Sequence, residues 1–213
     1  MLNHPALLIL SIGLLYILGF GGLSLLRRQG LSTRFAVESL IVSIVGAVVT
    51  LAFPGFPPLV FLVVLYLITM RVRLMVDLAN AFLAREQYPR AQALHRLALR
   101  LWPDPIGRQI VLINRGVAEL RQSALETAYT TLNEALFNEE LKIGAHYQAA
   151  GYYNLGLAAR RTHREAEAIR HFNEAIDTLP HSIYAQAARR ALQEHPLKQE
   201  LPPTDAPSEE QSV

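Results

Sequence analysis

The chain has 213 residues, of which 51% are hydrophobic and 18% are charged, against roughly 25% charged residues in an ordinary soluble domain. The first seventy residues hold only four charged side chains, and the other 143 hold 34, or about 24%. This asymmetry predicts a membrane segment followed by a soluble domain, and it excludes a purely soluble globule. The absence of cysteine excludes disulfide scaffolds, cysteine-ligated zinc, iron–sulfur clusters and thiol nucleophiles. A net charge of +2 argues against nucleic acid as the main partner.

Three apolar stretches are predicted to span the membrane, at residues 6–26, 36–53 and 58–72. The first carries no charge, and about 20 apolar residues suffice to cross a bilayer as a helix. A secretory signal peptide is the alternative for this stretch, but no Lys or Arg precedes it and it is too long. The second and third stretches are separated by the proline-rich segment 54–58, through which no helix can continue.

The distribution of basic residues predicts the orientation of these spans. Cytoplasmic loops carry an excess of arginine and lysine, and all five arginines near the spans fall on one side of the predicted arrangement. They are Arg27, Arg28, Arg34, Arg71 and Arg73. We therefore expect the N-terminus to lie outside the cell and the soluble domain to lie in the cytoplasm.

The second span has two notable features. Ser39, Ser43 and Ala47 form a stripe of small residues, which predicts a close helix contact within the hairpin of the second and third spans. Glu38 lies one turn from Arg34, so we expect it to reach the membrane interface and not to carry protons.

The third span is predicted to continue into the soluble domain. Neither glycine nor proline occurs between Leu59 and Gln87. A continuous helix of roughly 28 residues, about 42 Å long, would hold the soluble domain rigidly at the membrane. A kink near Arg71–Arg73 is the alternative.

A spacing pattern recurs three times in the soluble part. An alanine is followed four positions later by a bulky residue and three positions after that by a second alanine, and a small residue stands twelve positions before the first alanine. The copies are offset by 37 and 40 residues, and a proline closes the first and third. They comprise Ala79, Ala91, His95, Ala98 and Pro103; Gly116, Ala128, Leu132 and Ala135; and Gly156, Ala168, Phe172, Ala175 and Pro180.

This spacing resembles the tetratricopeptide repeat (TPR), a 34-residue helix–turn–helix unit with small residues where its two helices cross. The third copy resembles it most, because Tyr152 and Leu155 precede Gly156 at the expected spacing. The resemblance implies an all-α fold in which three units stack into an α-solenoid with a continuous core. The implied units are residues 72–105, 109–142 and 149–182.

The middle unit departs from the repeat pattern. Arg115 and Glu119 stand where apolar residues are expected, and Glu140 replaces the closing proline. After the third unit, residues 183–194 are predicted to form a capping helix that completes a TPR-like domain at 72–195. The inward residues of that helix are predicted to be Tyr184, Ala188, Ala191 and Leu192. The tail at 196–213 is acidic and proline-rich, which predicts disorder.

The sequence contains no catalytic arrangement. The seven histidines have no metal-binding spacing, and neither a glycine-rich phosphate loop nor a nucleophile elbow occurs. His95 occupies a packing position of the first unit, which predicts a core histidine. We therefore expect neither enzymatic activity, nor a metal site, nor a cofactor.

The resemblance implies a concave groove, lined by the first helices of the units, that binds peptides or helices of protein partners. On that surface we expect Asn80, Asn114 and Asn154, whose amides can donate to and accept from a peptide backbone. Asn80 and Asn114 match two polar positions of the TPR domains that hold chaperone C-termini. The cations of that clamp are replaced here by Val76, Ala150 and Asn154, which argues against this ligand.

Four further side chains are predicted to face the groove. Tyr153 would give an aromatic contact, and three arginines would favour an acidic segment of the partner. They are Arg121, Arg160 and Arg161. The alternative is that the polar groove residues only keep a concave surface soluble.

These observations predict a non-catalytic scaffold or assembly factor, integral to the membrane, whose cytoplasmic repeats hold a protein partner. Two alternatives stay open. The chain is an accessory subunit bound to a transporter or membrane enzyme through its spans, or it is a self-associating membrane organiser that forms homo-oligomers.

Overall fold

The computed structural model describes residues 4–26, 33–137 and 143–194. Within these ranges the chain forms ten helices and no strand, which confirms the all-helical class. The helices are α1 (Pro5–Leu26), α2 (Thr33–Ala52), α3 (Pro58–Thr69), α4 (Arg71–Ala84), α5 (Tyr88–Arg100), α6 (Pro105–Arg121), α7 (Leu125–Leu136), α8 (Ala145–Arg161), α9 (Glu165–Thr178) and α10 (Ile183–Glu194). Expectations about Arg27, Arg28, Glu140 and the tail at 196–213 lie outside the described residues.

Two or three N-terminal helices are apolar enough to span a membrane. α1 and α2 have 22 and 20 residues and meet the length requirement on their own. α3 has only 12 residues, about 18 Å at 1.5 Å per residue, and meets it only together with α4. The number of spans and their orientation therefore stay predictions.

The stripe of small residues on α2 faces α1. A Cβ atom on Gly13 of α1 would lie 2.0 Å from the Ser43 hydroxyl oxygen, and Ala47 packs in one cluster with Ile9. Phe61 of α3 packs against Gly46 instead. At Ser43 the close contact is therefore with α1, whereas Ala47 packs with residues of both α1 and α3, so the predicted contact with α3 is met only at that end of the stripe.

The helix breaks between α3 and α4. Their axes differ by 73°, so the prediction of an unbroken helix was wrong and the kink at Met70 is the observed alternative. Side chains satisfy carbonyl groups at the break: Thr69 Oγ1 donates to Leu65 O at 2.7 Å, and Arg71 Nη1 donates to Ile68 O at 2.7 Å. These bonds lower the cost of interrupting the helix.

A charged cluster joins the N-terminal helices to the hairpin of α4 and α5. Arg71 donates to both carboxylate oxygens of Glu38, at 2.6 and 3.0 Å, and Arg34 donates to the same carboxylate at 2.8 Å. The two arginines also reach backbone carbonyls after α5, with Arg71 Nε 3.2 Å from Leu101 O and Arg34 Nη1 3.4 Å from Pro103 O. Glu38 is thus an ion-pair partner, and we call these three side chains the junction cluster.

After α3 the chain forms three successive helical hairpins, α4–α5, α6–α7 and α8–α9, followed by α10. Close contacts occur where small residues were predicted. A Cβ atom on Gly116 would lie 2.5 Å from Leu132 Cγ, and one on Gly156 would lie 2.7 Å from the Phe172 ring. The side chains at the predicted packing positions are buried, and so are Ala185, Ala188 and Ala191 of α10.

The same backbone turn recurs inside all three hairpins. Glu86, Ser123 and His163 adopt left-handed φ angles of 58°, 60° and 61°. The residue after each donates its N–H to the carbonyl five positions back, at 2.9, 3.0 and 2.8 Å, as in a Schellman helix end. These turns are offset by 37 and 40 residues, like the alanine pattern, and the backbone therefore has the same register as the sequence repeat.

The two charged residues that depart from the repeat pattern in the middle hairpin form an ion pair. Arg115 Nε donates to Glu119 Oε1 at 2.8 Å, although Glu119 is only 3% exposed. Removal of either partner would leave a charge without compensation next to the core. The pairing lets α6 form despite two charges at positions where the repeat has apolar residues.

A glycine at the second turn is expected to stabilise the protein. In Ser123→Gly the left-handed strain of about 1 kcal/mol disappears, and part of this gain is offset by the larger backbone entropy of the unfolded chain. We expect a net gain of about 0.5 kcal/mol, measured as a higher midpoint of thermal unfolding in detergent by circular dichroism. Glu174→Gly, at an exposed position inside α9, should lower the midpoint. Equal shifts in both variants would contradict the strain argument.

Candidate partner-binding face

Two of the three predicted groove asparagines lie together. Asn80 on α4 donates through Nδ2 to Oδ1 of Asn114 on α6, at 3.0 Å, and this bond links the first helices of adjacent hairpins. Asn114 Nδ2 in turn donates to Ile110 O at 2.8 Å. Both side chains are half-buried.

Asn154 lies apart from that pair. Its Nδ2 donates to Ala150 O of the same helix at 2.7 Å. Within the described chain, no group donates to Oδ1 of Asn80 or of Asn154, and each amide nitrogen still has a second hydrogen. The amides thus keep donors and acceptors for an added peptide backbone.

The three arginines differ in their surroundings. Arg121 and Arg161 are exposed at the C-terminal ends of α6 and α8, and Arg161 Nη1 lies 3.5 Å from Leu120 O. Their positive charges lie where the helix dipoles are negative, which stabilises both helix ends. They give this edge of the domain a pair of accessible cations.

Arg160 makes structural contacts instead. Its guanidinium lies 4.7 Å from the centre of the Phe172 ring, and Nη1 donates to Ala191 O of α10 at 2.9 Å. Its Nε also lies 3.5 Å from Glu165 Oε1. Arg160 therefore attaches α10 to the third hairpin. Its guanidinium, which was predicted to attract an acidic segment of a partner, makes contacts within the chain instead.

Tyr153 belongs to an aromatic cluster between α8 and α10. Its ring centre lies 6.0 Å from that of Phe172 and 6.1 Å from that of Tyr184. His146 adds contacts with Tyr184 at 5.4 Å and with Tyr147 at 5.9 Å. Sequence reasoning missed Tyr147 and His146, because their contacts depend on how α10 docks against the start of α8.

Two buried histidines lie in the second helices of hairpins. Burial, and secondarily the nearby Arg115 charge, lowers the pKa of His95 to about 4. Burial also lowers the pKa of His171, with the Arg170 charge as a smaller cause. None of their ring nitrogens has a hydrogen-bond partner among the described residues. The prediction that His95 is a core residue is confirmed.

Within the described part of the chain, no group of three or more histidine and acidic side chains is placed to hold a metal ion. The candidate face carries the amides of Asn80, Asn114 and Asn154, the cations Arg121 and Arg161, and the ring of Tyr153.

Residues 149–182 match the family model of the tetratricopeptide repeat. The match covers α8 and α9, where Gly156 and Phe172 make the predicted helix crossing. This supports the sequence resemblance for the third hairpin. Among curated proteins and among solved structures, nothing matches the chain.

The buried His95 is expected to make stability depend on pH. Its pKa is about 4 when folded, against about 6.5 in an unfolded chain, so the unfolded state binds the proton first as the pH falls. Stability is therefore full above pH 6.5 and decreases between pH 6.5 and 4, by about 1–2 kcal/mol from pH 7 to pH 5. Thermal unfolding of the full chain in detergent at the two pH values would measure this loss.

The residues at the equivalent repeat positions suggest a variant that tests this dependence of stability on pH. The offsets of 37 and 40 residues place Leu132 and Phe172 at the position of His95, so His95→Leu should pack well and remove most of its share of the pH effect. His181→Gln changes an exposed histidine and should leave the effect intact. An unchanged pH dependence in His95→Leu would contradict the assignment.

Proposed function

We propose that the protein is a non-catalytic scaffold or assembly factor, anchored in the membrane by its N-terminal helices, that holds a protein partner on its repeats. The observation that carries this proposal is the tetratricopeptide repeat match at 149–182, within a series of three hairpins with a common turn geometry. Tetratricopeptide repeats bind proteins through stacked first helices, which here are α4, α6 and α8.

The partner is proposed to lie along the concave side of an α-solenoid. Asn80 and Asn114 bridge two first helices, and the unused acceptors and donors of Asn80 and Asn154 suit an extended peptide backbone. Arg121 and Arg161 favour a partner segment with acidic residues. Tyr153, held by Phe172 and Tyr184, offers a rigid aromatic edge at the far end.

The soluble domain is proposed to face the cytoplasm. Arg34 and Arg71 meet at the junction cluster, so the basic residues lie at one end of α2 and α3. The positive-inside rule places that end in the cytoplasm. The proline-rich turn between α2 and α3 carries no basic residue and would then lie outside.

Removal of the groove amides should release the partner. We expect Asn80→Ala/Asn114→Ala/Asn154→Ala to lower the amount of co-purified partner at least tenfold, because each lost hydrogen bond costs about 1 kcal/mol. The measurement is quantitative mass spectrometry of the full chain purified from its native membrane in mild detergent.

The matched control carries the same substitution on second helices. Asn133→Ala/Asn173→Ala removes amides from α7 and α9 and should retain the partner. Because the triple variant also loses the bond between α4 and α6, the single variant Asn154→Ala and the unfolding midpoint of each variant separate binding from stability. A partner retained by the correctly folded triple variant would contradict the groove proposal.

An accessory subunit bound through its membrane helices is the second candidate. The supporting observation is an apolar groove between α2 and α3, lined by Ile41, Val45, Phe56, Phe61 and Val64 among others. Such a groove suits a helix of a membrane partner. This candidate predicts that the partner remains bound to the groove-asparagine variant.

A further inference from the structure

The first hairpin has an open end. The repeat offsets make Leu78 equivalent to Leu155 of the third hairpin, and Ala81 equivalent to Ala118 and Ala158. Leu155 and both later alanines are buried, whereas Leu78 is 44% exposed and Ala81 is exposed. Among the described residues no repeat hairpin precedes α4, so the apolar side that later hairpins bury is uncovered here.

Trp102 lies exposed next to this open end. It is the only tryptophan of the chain, its side chain is 78% exposed, and its backbone has a left-handed φ of 50°. This conformation is rare for a bulky residue. The carbonyls of its two neighbours, Leu101 and Pro103, accept hydrogen bonds from Arg71 and Arg34 of the junction cluster. Trp102 is thus held beside the ends of α2 and α3.

The outer face of α5 differs from that of its counterpart in the third hairpin. Three exposed positions near the C-terminal end of α5 carry Arg96, Leu97 and Arg100. The equivalent exposed positions on α9 carry Asn173, Glu174 and Asp177. At these three positions the first hairpin therefore has two cations and a leucine, whereas the third hairpin has an amide and two acidic side chains. Such a surface complements one that is both anionic and apolar.

The first hairpin begins at the level of the middle of α1, and not beyond the end of α1. Tyr16 Oη and Thr69 Oγ1 are 2.7 Å apart, so the end of α3 lies beside the middle of α1. From Tyr16, α1 continues in the same direction for ten residues to Leu26, about 15 Å. Because α4 leaves α3 at 73°, it runs nearly across this direction and stays close to the level at which α3 ends.

We propose that the open end of the first hairpin, together with the outer face of α5, rests on the anionic headgroups of the membrane that α1–α3 enter. Leu78, Leu97 and Trp102 enter the interfacial layer, while Arg96 and Arg100 pair with lipid phosphates. The lipid surface takes the place of a preceding hairpin and completes the apolar contact at this end. The inference rests on the membrane anchoring included in the proposed function.

The single tryptophan gives a direct test. The full chain is reconstituted in vesicles of phosphatidylcholine and phosphatidylglycerol with bromine atoms high on the acyl chains, and floated to isolate inserted protein. We expect the bromines to quench Trp102 fluorescence by at least half, and the bilayer to lower quenching by aqueous acrylamide at least threefold relative to the control variant.

The control variant moves the indole to the second hairpin. Trp102→Phe/Phe137→Trp places it at the end of α7, where the native phenylalanine is 50% exposed and equivalent to Arg100 in the repeat register. This variant should show no bromine quenching and full acrylamide quenching. In Arg96→Gln/Arg100→Gln, which keeps Trp102, bromine quenching should fall at least twofold, and most strongly in vesicles rich in phosphatidylglycerol.

Three results would overturn the inference. A floated chain with Trp102 as accessible to acrylamide as the control variant contradicts the surface contact and leaves anchoring intact. Protection from acrylamide without bromine quenching would mean that protein, such as a second copy of the chain, covers the open end. A chain that does not float with vesicles contradicts anchoring itself, and the surface contact fails with it.

Discussion

The connection between the N-terminal helices and the hairpins that follow depends on one half-buried ion pair. Glu38 comes from α2 and Arg71 begins α4, and their bidentate contact ties the end of the apolar helices to the start of the repeats. The planar guanidinium of Arg71 also donates to Ile68 O and Leu101 O, so a single side chain connects α2, α3 and the end of α5. A lysine could not make this set of fixed, forked contacts.

The junction cluster explains why the chain can bend without glycine or proline. The bend at Met70 places Arg71 against Glu38, and the bonds formed there offset the interrupted helix. Sequence reasoning considered a kink near this point but favoured a continuous helix. The sequence near Met70 could not show which alternative forms, because two of the stabilising partners, Glu38 and Leu101, lie 33 and 30 residues away along the chain.

The hairpins were predictable for a local reason. Helices that cross closely need a small residue opposite a large one, and Gly116 with Leu132 and Gly156 with Phe172 meet this requirement at the same spacing. The first helix of the middle hairpin also forms, although it departs from the repeat pattern. Glu119 pairs there with Arg115, which lies one turn away on the same helix. Such short-range relations are readable in a sequence.

The candidate site was predictable only in part. The repeat register placed Asn80 and Asn114 on first helices, but their hydrogen bond to each other depends on how two hairpins stack. Arg160 could not be separated from Arg161 by sequence, since only the docking of α10 gives Arg160 a carbonyl to bind. Side chains that act between hairpins therefore need the three-dimensional structure, whereas those within a hairpin do not.

The near-right angle between α3 and α4 also has a mechanical meaning. If the two helices were collinear, a rotation of α3 about its own axis would only spin the repeats in place. At 73°, α4 acts as a lever arm of 14 residues, about 21 Å long. A 10° rotation of α3 moves the far end of α4 sideways by about 3–4 Å. A rotation of α3 would thus become a sideways displacement of the hairpins that follow it, which the ion pair of Arg71 with Glu38 opposes.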